Sequence, residues 1–178
     1  MPFSFNPFPV LKTKRLLLRN YSTEDYSQVF FLRSDPALNT YIKRDPPKEL
    51  KDAIAFVNRV QKSMKNGENV NWAICQKENG QMMGSICLWN FSSDLKTGEV
   101  GYDLHPDFQH KGYMNEAIQE VIRFGFQELS LDKITAYTHH SNKNSLKLLE
   151  KNNFEIVENL IDEDNKDNII LSLNKSDL

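Results

Sequence analysis

The chain has only two cysteines, Cys75 and Cys87, among its 178 residues. Two thiols cannot build the bridge framework of a small secreted domain, so a buried core has to supply the stability. Dense runs of lysine or arginine are missing too, and the net charge is −2. Nothing global or local therefore draws the chain to nucleic acid. No apolar stretch approaches the ~20 residues that cross a bilayer, so no membrane partner is expected. The opening Met1-Pro2-Phe3-Ser4-Phe5-Asn6-Pro7-Phe8-Pro9 has neither the basic start nor the apolar run of a secretion signal, and a cytoplasmic address is expected. A Gly-x-Gly-x-x-Gly dinucleotide fingerprint and a Gly-x-x-x-x-Gly-Lys-Ser/Thr nucleotide loop are both lacking, which argues against redox and NTPase chemistry. The histidines His105, His110, His139 and His140 show no zinc-ligand spacing, and no metal is expected. Without repeats, low-complexity tracts or linkers, the length fits one domain over residues 1–178, with residues 1–10 as an extended arm over the body or a partner.

What is present alternates between strand and helix patterns. Residues 14–19 read as a first strand whose apolar run predicts that both faces are covered. Ser22 or Thr23 opens a helix that carries Val29, Phe30 and Leu32. Leu50, Ile54, Val57, Val60 and Met64 keep helical spacing over residues 48–66, and Gly67 stops that helix. Asn79-Gly80 predicts a two-residue hairpin turn between strands at 69–76 and 82–91. In that register Cys75 faces Gly84 and Trp72 faces Cys87, so the cysteines lie on opposite faces and do not bridge. Apolar residues on both faces imply a sheet covered on both sides.

Residues 98–104 form a fourth strand, in which Gly101 marks a bulge or a close approach, with a ligand as one candidate. Met114, Ala117, Ile118, Val121, Ile122, Gly125 and Leu129 give the following helix an apolar face. A fifth strand at 133–138 completes a right-handed parallel crossover. Ser141 or Asn142 caps a short helix that ends at Asn152, where Asn153 takes the left-handed stop position. Strands at 154–161 and 168–173 close the sheet around the acidic turn 162–167.

The chain turns on Phe108-Gln109-His110-Lys111-Gly112-Tyr113-Met114-Asn115-Glu116-Ala117, between the fourth strand and its helix. A helix N-terminus offers unpaired N–H groups and a partial positive charge, so it can hold a phosphate. Gly112 permits close approach to the backbone, and Lys111 adds a cation. An ordinary strand-to-helix turn containing a glycine has the same local pattern, and spacing leaves both readings open.

Gln109-x-x-Gly112-x-Met114 resembles the Gln/Arg-x-x-Gly-x-Gly/Ala loop with which GNAT-superfamily acetyltransferases bind the pyrophosphate of acetyl-CoA. Glu99-x-Gly101-Tyr102-x-Leu104-x-Pro106 and Lys111-Gly112-Tyr113-x-x-Glu116-Ala117 resemble its RimJ/RimL-like, ribosomal-protein N-acetyltransferase branch. Asn142-x-x-Ser145-x-x-x-Leu149-Glu150-Lys151-x-x-Phe154 resembles a second signature of that branch. Met114 departs from the small residue at the end of the loop, and Asn153 from the usual glycine. The resemblance implies an α/β fold: a mixed, mostly antiparallel twisted sheet of about seven strands, helices on both faces, and splayed fourth and fifth strands.

It also implies direct attack of a primary amine on the acetyl-CoA thioester. That reaction needs a neutral amine, donors for the carbonyl oxygen and a proton for the leaving thiolate. By the same resemblance Ser145 is the proton donor, and Tyr102, Leu104, Gln109, His110, Lys111, Gly112, Tyr113, Met114 and Asn142 contact the cofactor. Asn142 and Ser145 also have the spacing of a plain helix cap. Glu99, on the strand bordering the cofactor, is the candidate base. A protein N-terminal α-amine is the expected acceptor. A polyamine or antibiotic amine, suited to the acidic turn, is the alternative, as is a non-catalytic acyl-CoA-binding module. A homodimer is left open.

Overall fold

Two apolar surfaces of one sheet organise the computed structural model, which describes residues 3–177. The strands are β1 (Leu11–Lys12), β2 (Leu16–Arg19), β3 (Val70–Gln76), β4 (Met82–Trp89), β5 (Thr97–Leu104), β6 (Lys133–His139), β7 (Glu155–Ile156) and β8 (Asn168–Asn174). The helices are α1 (Tyr26–Ser34), α2 (Leu50–Lys65), α3 (Tyr113–Gln127) and α4 (Lys143–Lys151). The sheet order is β1-β2-β3-β4-β5-β6-β8-β7, and β5–β6 is its one parallel pair among the described residues. The short β1 raises the expected seven strands to eight. None of the described helices is long and apolar enough to cross a membrane.

Alternation along the strands divides the core in two. Trp72, Ile74, Met83, Ile86 and Leu88 pack with Ala117, Ile118 and Val121 of α3 and Leu149 of α4. On the opposite face Ala73, Cys75 and Met82 pack with Val29 and Leu32 of α1 and Val57 of α2. The N-terminal segment joins the first surface: Phe5 is buried, Phe8 meets Trp72 edge-on, and the Trp72 indole donates to the Pro9 carbonyl at 2.7 Å. Met1 and Pro2 of the expected arm lie outside the described residues.

The hairpin register differs from expectation. Gln76 N–H donates to the Gln81 carbonyl, and Gly80 N–H to that of Gln76. The loop therefore has four residues, ending on Gly80 at φ 72°. A bulge between Ile74 and Cys75 shifts the pairing again, giving Trp72↔Ile86 and Asn71↔Cys87. Cys75 and Cys87 thus share a face; the partner of Cys87 is four residues from Cys75, about 13 Å along the strand and beyond disulfide reach. Both are free thiols, for a reason of distance rather than of face. The strand expected at 154–161 is cut to Glu155–Ile156, because the chain leaves the edge through a loop at 157–167. Gly101 is regularly paired with Cys87, and a side chain there would meet the Cys87 thiol at 3.3 Å. The bulge is therefore absent, and the close neighbours of Gly101 among the described residues lie on β4.

Two features position the site. The β5–β6 pairing consists of Thr97↔Lys133, Gly98↔Ile134 and Glu99↔Thr135, and it stops there. Beyond it β5 continues on β4 and β6 continues on β8. A V-shaped cleft opens between Val100–Leu104 and Ala136–His139, which is the expected splay. The second feature is a brace from the first strands to α3. Glu116 accepts from the Thr13 hydroxyl at 2.5 Å, the Arg15 amide at 2.7 Å and the Arg15 guanidinium at 2.7 Å. Arg15 also donates to the Lys111 carbonyl and lies 4.3 Å over the Tyr113 ring. Burial pushes the Glu116 carboxyl up, but these donors outweigh it and hold the group below the usual range.

A carboxyl held low stabilises the fold above its unfolded value, and the contribution is lost as pH falls through its folded value. Glu116→Gln should therefore cost about 1–2 kcal/mol at neutral pH, the low end reflecting the exposed Arg15 partner. Urea denaturation checks this. The gap between wild type and variant should close below the ordinary glutamate range, and equal midpoints at pH 7 would remove the brace.

Candidate active site

The segment joining β5 to α3 is shaped for an anion. A 3-10 turn, Pro106–Phe108, follows β5, and the Gln109 side-chain amide reaches back to the Leu104 carbonyl at 2.9 Å. The backbone then takes left-handed geometry at His110, φ 60°, and again at Gly112, φ 79°, which caps α3. None of the N–H groups of residues 110–115 has an acceptor among the described residues. Alternation of hand and a free helix end together turn consecutive amides to one concavity. A pyrophosphate fits such a set, and α3 adds its partial positive charge. At Gly112 a side chain would be strained by the positive φ and would meet the Arg15 guanidinium at 3.4 Å.

The side chains of the loop serve its shape. The Lys111 ammonium donates to the Asp107 carbonyl at 2.7 Å, closing the turn. His110 is exposed. Tyr113 carries Arg15 on its ring face. Met114 is buried in the α3 core, so its bulk lies beneath the loop. Leu104 is buried, and its carbonyl is taken by Gln109.

Across the cleft two sequence-distant residues meet. Tyr102 on β5 and Ser145 in the first turn of α4 have their hydroxyls 2.8 Å apart. Asn142 caps α4 by accepting from the Ser145 amide at 3.1 Å, which fixes the Ser145 backbone. Burial pushes the Tyr102 phenol up to about 12, the Ser145 contact offsetting part of this. The pair therefore keeps its protons at neutral pH and can release one to a basic group in the cleft.

Glu99 stands apart from that pair. It is the last β5 residue paired to β6, at the apex of the V, and strand alternation turns it to the face opposite Tyr102. Asn90 donates to it at 3.2 Å. Burial, helped by the charge of Asp162, holds its carboxyl above the usual range, with Asn90 acting in the other direction. A raised carboxyl suits a base working near neutral pH. Sequence spacing alone missed the Tyr102 hydroxyl and the Arg15–Glu116 brace, whose partners lie 43 and 101 residues apart. Gly101-Tyr102 and Asn142-x-x-Ser145 are visible as motifs, but not their contact.

His139 and His140 stack at 4.5 Å, where β6 ends at His139 and the chain turns. With Asp167 their ligand atoms lie within 4.8 Å of one another. The Ser141 amide donates to His139 Nδ1 at 3.0 Å. The proton of the neutral ring then sits on Nε2, which removes the lone pair a metal would need there. Tyr41, from the α1–α2 connection, packs on His139 at 5.0 Å and brings that connection to the open end of β6.

Known proteins share this fold. The model of the Acetyltransferase (GNAT) domain matches residues 15–155. The N-acetyltransferase YnaD of Bacillus subtilis is 30% identical over 142 residues, covering 79% of each chain. Among solved structures, Mycobacterium smegmatis RimJ in complex with CoA-disulfide superposes at a TM-score of 0.78, with 15% identity over 92% of this chain and 83% of its own. The ribosomal-protein-S5-alanine acetyltransferase of Vibrio fischeri superposes at 0.76, with 19% identity over 95% of this chain and 98% of its own. The domain match carries the amide-lined loop and the splayed strands, and the chain belongs to the GNAT acetyltransferase family as an acetyl-CoA-dependent N-acetyltransferase.

Proposed function

We propose that the whole chain is one acetyltransferase unit that acts on a primary amine by direct attack, with the amine entering on the Glu99 side of the cleft. The observation that carries this reading is the cleft itself: amides at one end, a hydroxyl pair in the middle and a carboxyl at the apex. Bound acetyl-CoA supplies a thioester whose carbonyl carbon is open to a neutral amine. The free amides of residues 110–115 hold its pyrophosphate, a role supported by the CoA complex of the similarly folded RimJ. The edge of Val100–Leu104 that faces away from β4, released by β6, lines the path from that loop to the apex. Glu99 takes the proton of the attacking amine. As the C–N bond forms and the C–S bond breaks, Tyr102 and Ser145 act as one donor: one hydroxyl gives its proton to the sulfur and takes that of the other, which is re-protonated from solvent. A protein N-terminal α-amine is the first acceptor to test, since the similarly folded Vibrio fischeri protein is a ribosomal-protein-S5-alanine acetyltransferase.

Cofactor binding and transfer each give a test. Isothermal titration should find that Gly112→Asp weakens CoA binding at least tenfold, because it sets a negative charge against the pyrophosphate. Gly112→Asn should lose less, since asparagine accepts the left-handed backbone without adding charge. Equal affinity in wild type and a folded Asp variant would remove the loop from cofactor binding.

Single-turnover transfer to N-terminal peptides should fall ~10²-fold in Tyr102→Phe and in Ser145→Ala, with CoA affinity nearly intact. The double variant should be little slower than either alone, as expected for groups acting as a unit. Full activity in both single variants would assign the contact to structure only.

A further inference from the structure

On the α1–α2 side of β5, two half-buried arginines stand without a carboxylate partner. Arg15, Arg19 and Arg123 each form an ion pair, whereas the half-buried Arg33 and Arg44 and the exposed Arg59 form none among the described residues. The Arg33 guanidinium lies 3.6 Å over the Phe56 ring, a contact that orients it but leaves its charge unneutralised. Arg44 donates to the Leu32 carbonyl at 3.3 Å and to the Asn39 side chain, while its Nε is buried with no partner. Burial first, and then the charge of Arg44, push the Arg33 guanidinium down to about 10. The carboxylate that offsets both is Asp103, which is engaged by the Ser85 amide and hydroxyl at 3.0 and 2.8 Å. Arg33 and Asp103 line one cavity of about 20 Å³ with Tyr21, Phe56 and Ser85. Arg33 and Arg44, each outside ion-pair reach of the one carboxylate that offsets them, leave about one positive charge in a partly dry setting, which is costly unless an outside anion completes it.

Its place indicates where that anion comes from. Asp103 follows Tyr102 on the strand that lines the cleft, and alternation turns it to the Glu99 face. The α1–α2 connection that carries Arg44 also sets Tyr41 against His139 at the end of β6. The arginines therefore flank the side by which the acceptor enters. We propose that Arg33 and Arg44 receive a carboxylate or phosphate carried by the acceptor, so that the substrate is an anionic amine. The identity of the anion's carrier as an acceptor rests on the acetyl-transfer reading, whereas the anion site itself does not. Guanidinium forks match both anions geometrically. An acidic residue next to a protein N-terminus and a phosphate on a small amine would each supply the group.

The test has a binding arm and a turnover arm. In protein saturated with CoA, so that the α3 terminus is filled, inorganic phosphate should raise the melting temperature above a sodium chloride control of equal ionic strength. Arg33→Gln and Arg44→Gln should abolish the shift, and the Lys variants should retain part of it. In the turnover arm, an Ala-Asp peptide is compared with Ala-Asn, and glucosamine 6-phosphate with glucosamine. The anionic member of the preferred pair should have a KM ~10-fold lower, and which pair responds identifies the source of the charge. Each Gln variant should erase that preference while sparing the KM for acetyl-CoA and for the neutral member. Phosphate shifts of equal size in wild type and folded Gln variants would overturn the proposal. So would equal effects on neutral and anionic acceptors, with acetyl transfer itself left standing. An arginine-dependent phosphate shift without turnover of any amine would instead support the anion site and count against the transferase reading.

Discussion

Everything in the site follows from the place where β5 and β6 stop pairing. Three residue pairs hold the strands together, from Thr97↔Lys133 to Glu99↔Thr135, and then each strand stays with its outer neighbour. An interior strand edge left unpaired is expensive unless something bonds to it. The protein keeps two such edges facing each other, braced from outside by six further pairs between β4 and β5 and seven between β6 and β8. Antiparallel ladders on both flanks carry the sheet while the centre is open. Glu99 falls at the apex, Tyr102 within the arm, and the amide-lined loop at the wide end, so the sequence of roles along the cleft is the order of residues along β5.

The wide end needs its own support, because left-handed residues and free amides do not hold shape by themselves. Arg15 and Glu116 supply it from elements far apart in sequence, and Asn152 ties α4 to Asn115 of α3 at 3.1 Å. Charge is handled differently on the two sides of the sheet. On the α3 side, Glu116 beside the loop is satisfied by protein donors. On the α1–α2 side, Arg33 and Arg44 remain undercompensated. A polar site prepared in advance spends less on rearrangement when charge arrives.

Local patterns made much of this legible. The apolar spacing of α2 and α3, the Gln109-x-x-Gly112 loop and the Asn142 cap all rest on interactions within a few residues, and each is found at its expected position. The left-handed Asn153, φ 62°, belongs with them. The Asn79-Gly80 hairpin misled because a glycine that accepts positive φ serves a four-residue loop as well as a two-residue one. A single bulge at Ile74/Cys75 then moved every later pair. Gly101 suggested a bulge or a close approach, and its backbone is regularly paired with Cys87. The contacts that matter most for chemistry, Tyr102 with Ser145 and Arg15 with Glu116, join elements whose approach is set by the fold as a whole. No spacing rule reports them. The unpaired state of Arg33 and Arg44 is likewise a property of packing, since carboxylates are plentiful in the sequence.

The most direct test of the central claim is amide hydrogen exchange with and without CoA. Free N–H groups at residues 110–115 that take up a pyrophosphate should exchange markedly more slowly in the complex, together with the cleft edge of Val100–Leu104. The paired strands β2 and β3 should be unchanged. Protection elsewhere, or none at residues 110–115 at saturating CoA, would contradict the assignment of this cleft as the acetyl-CoA site.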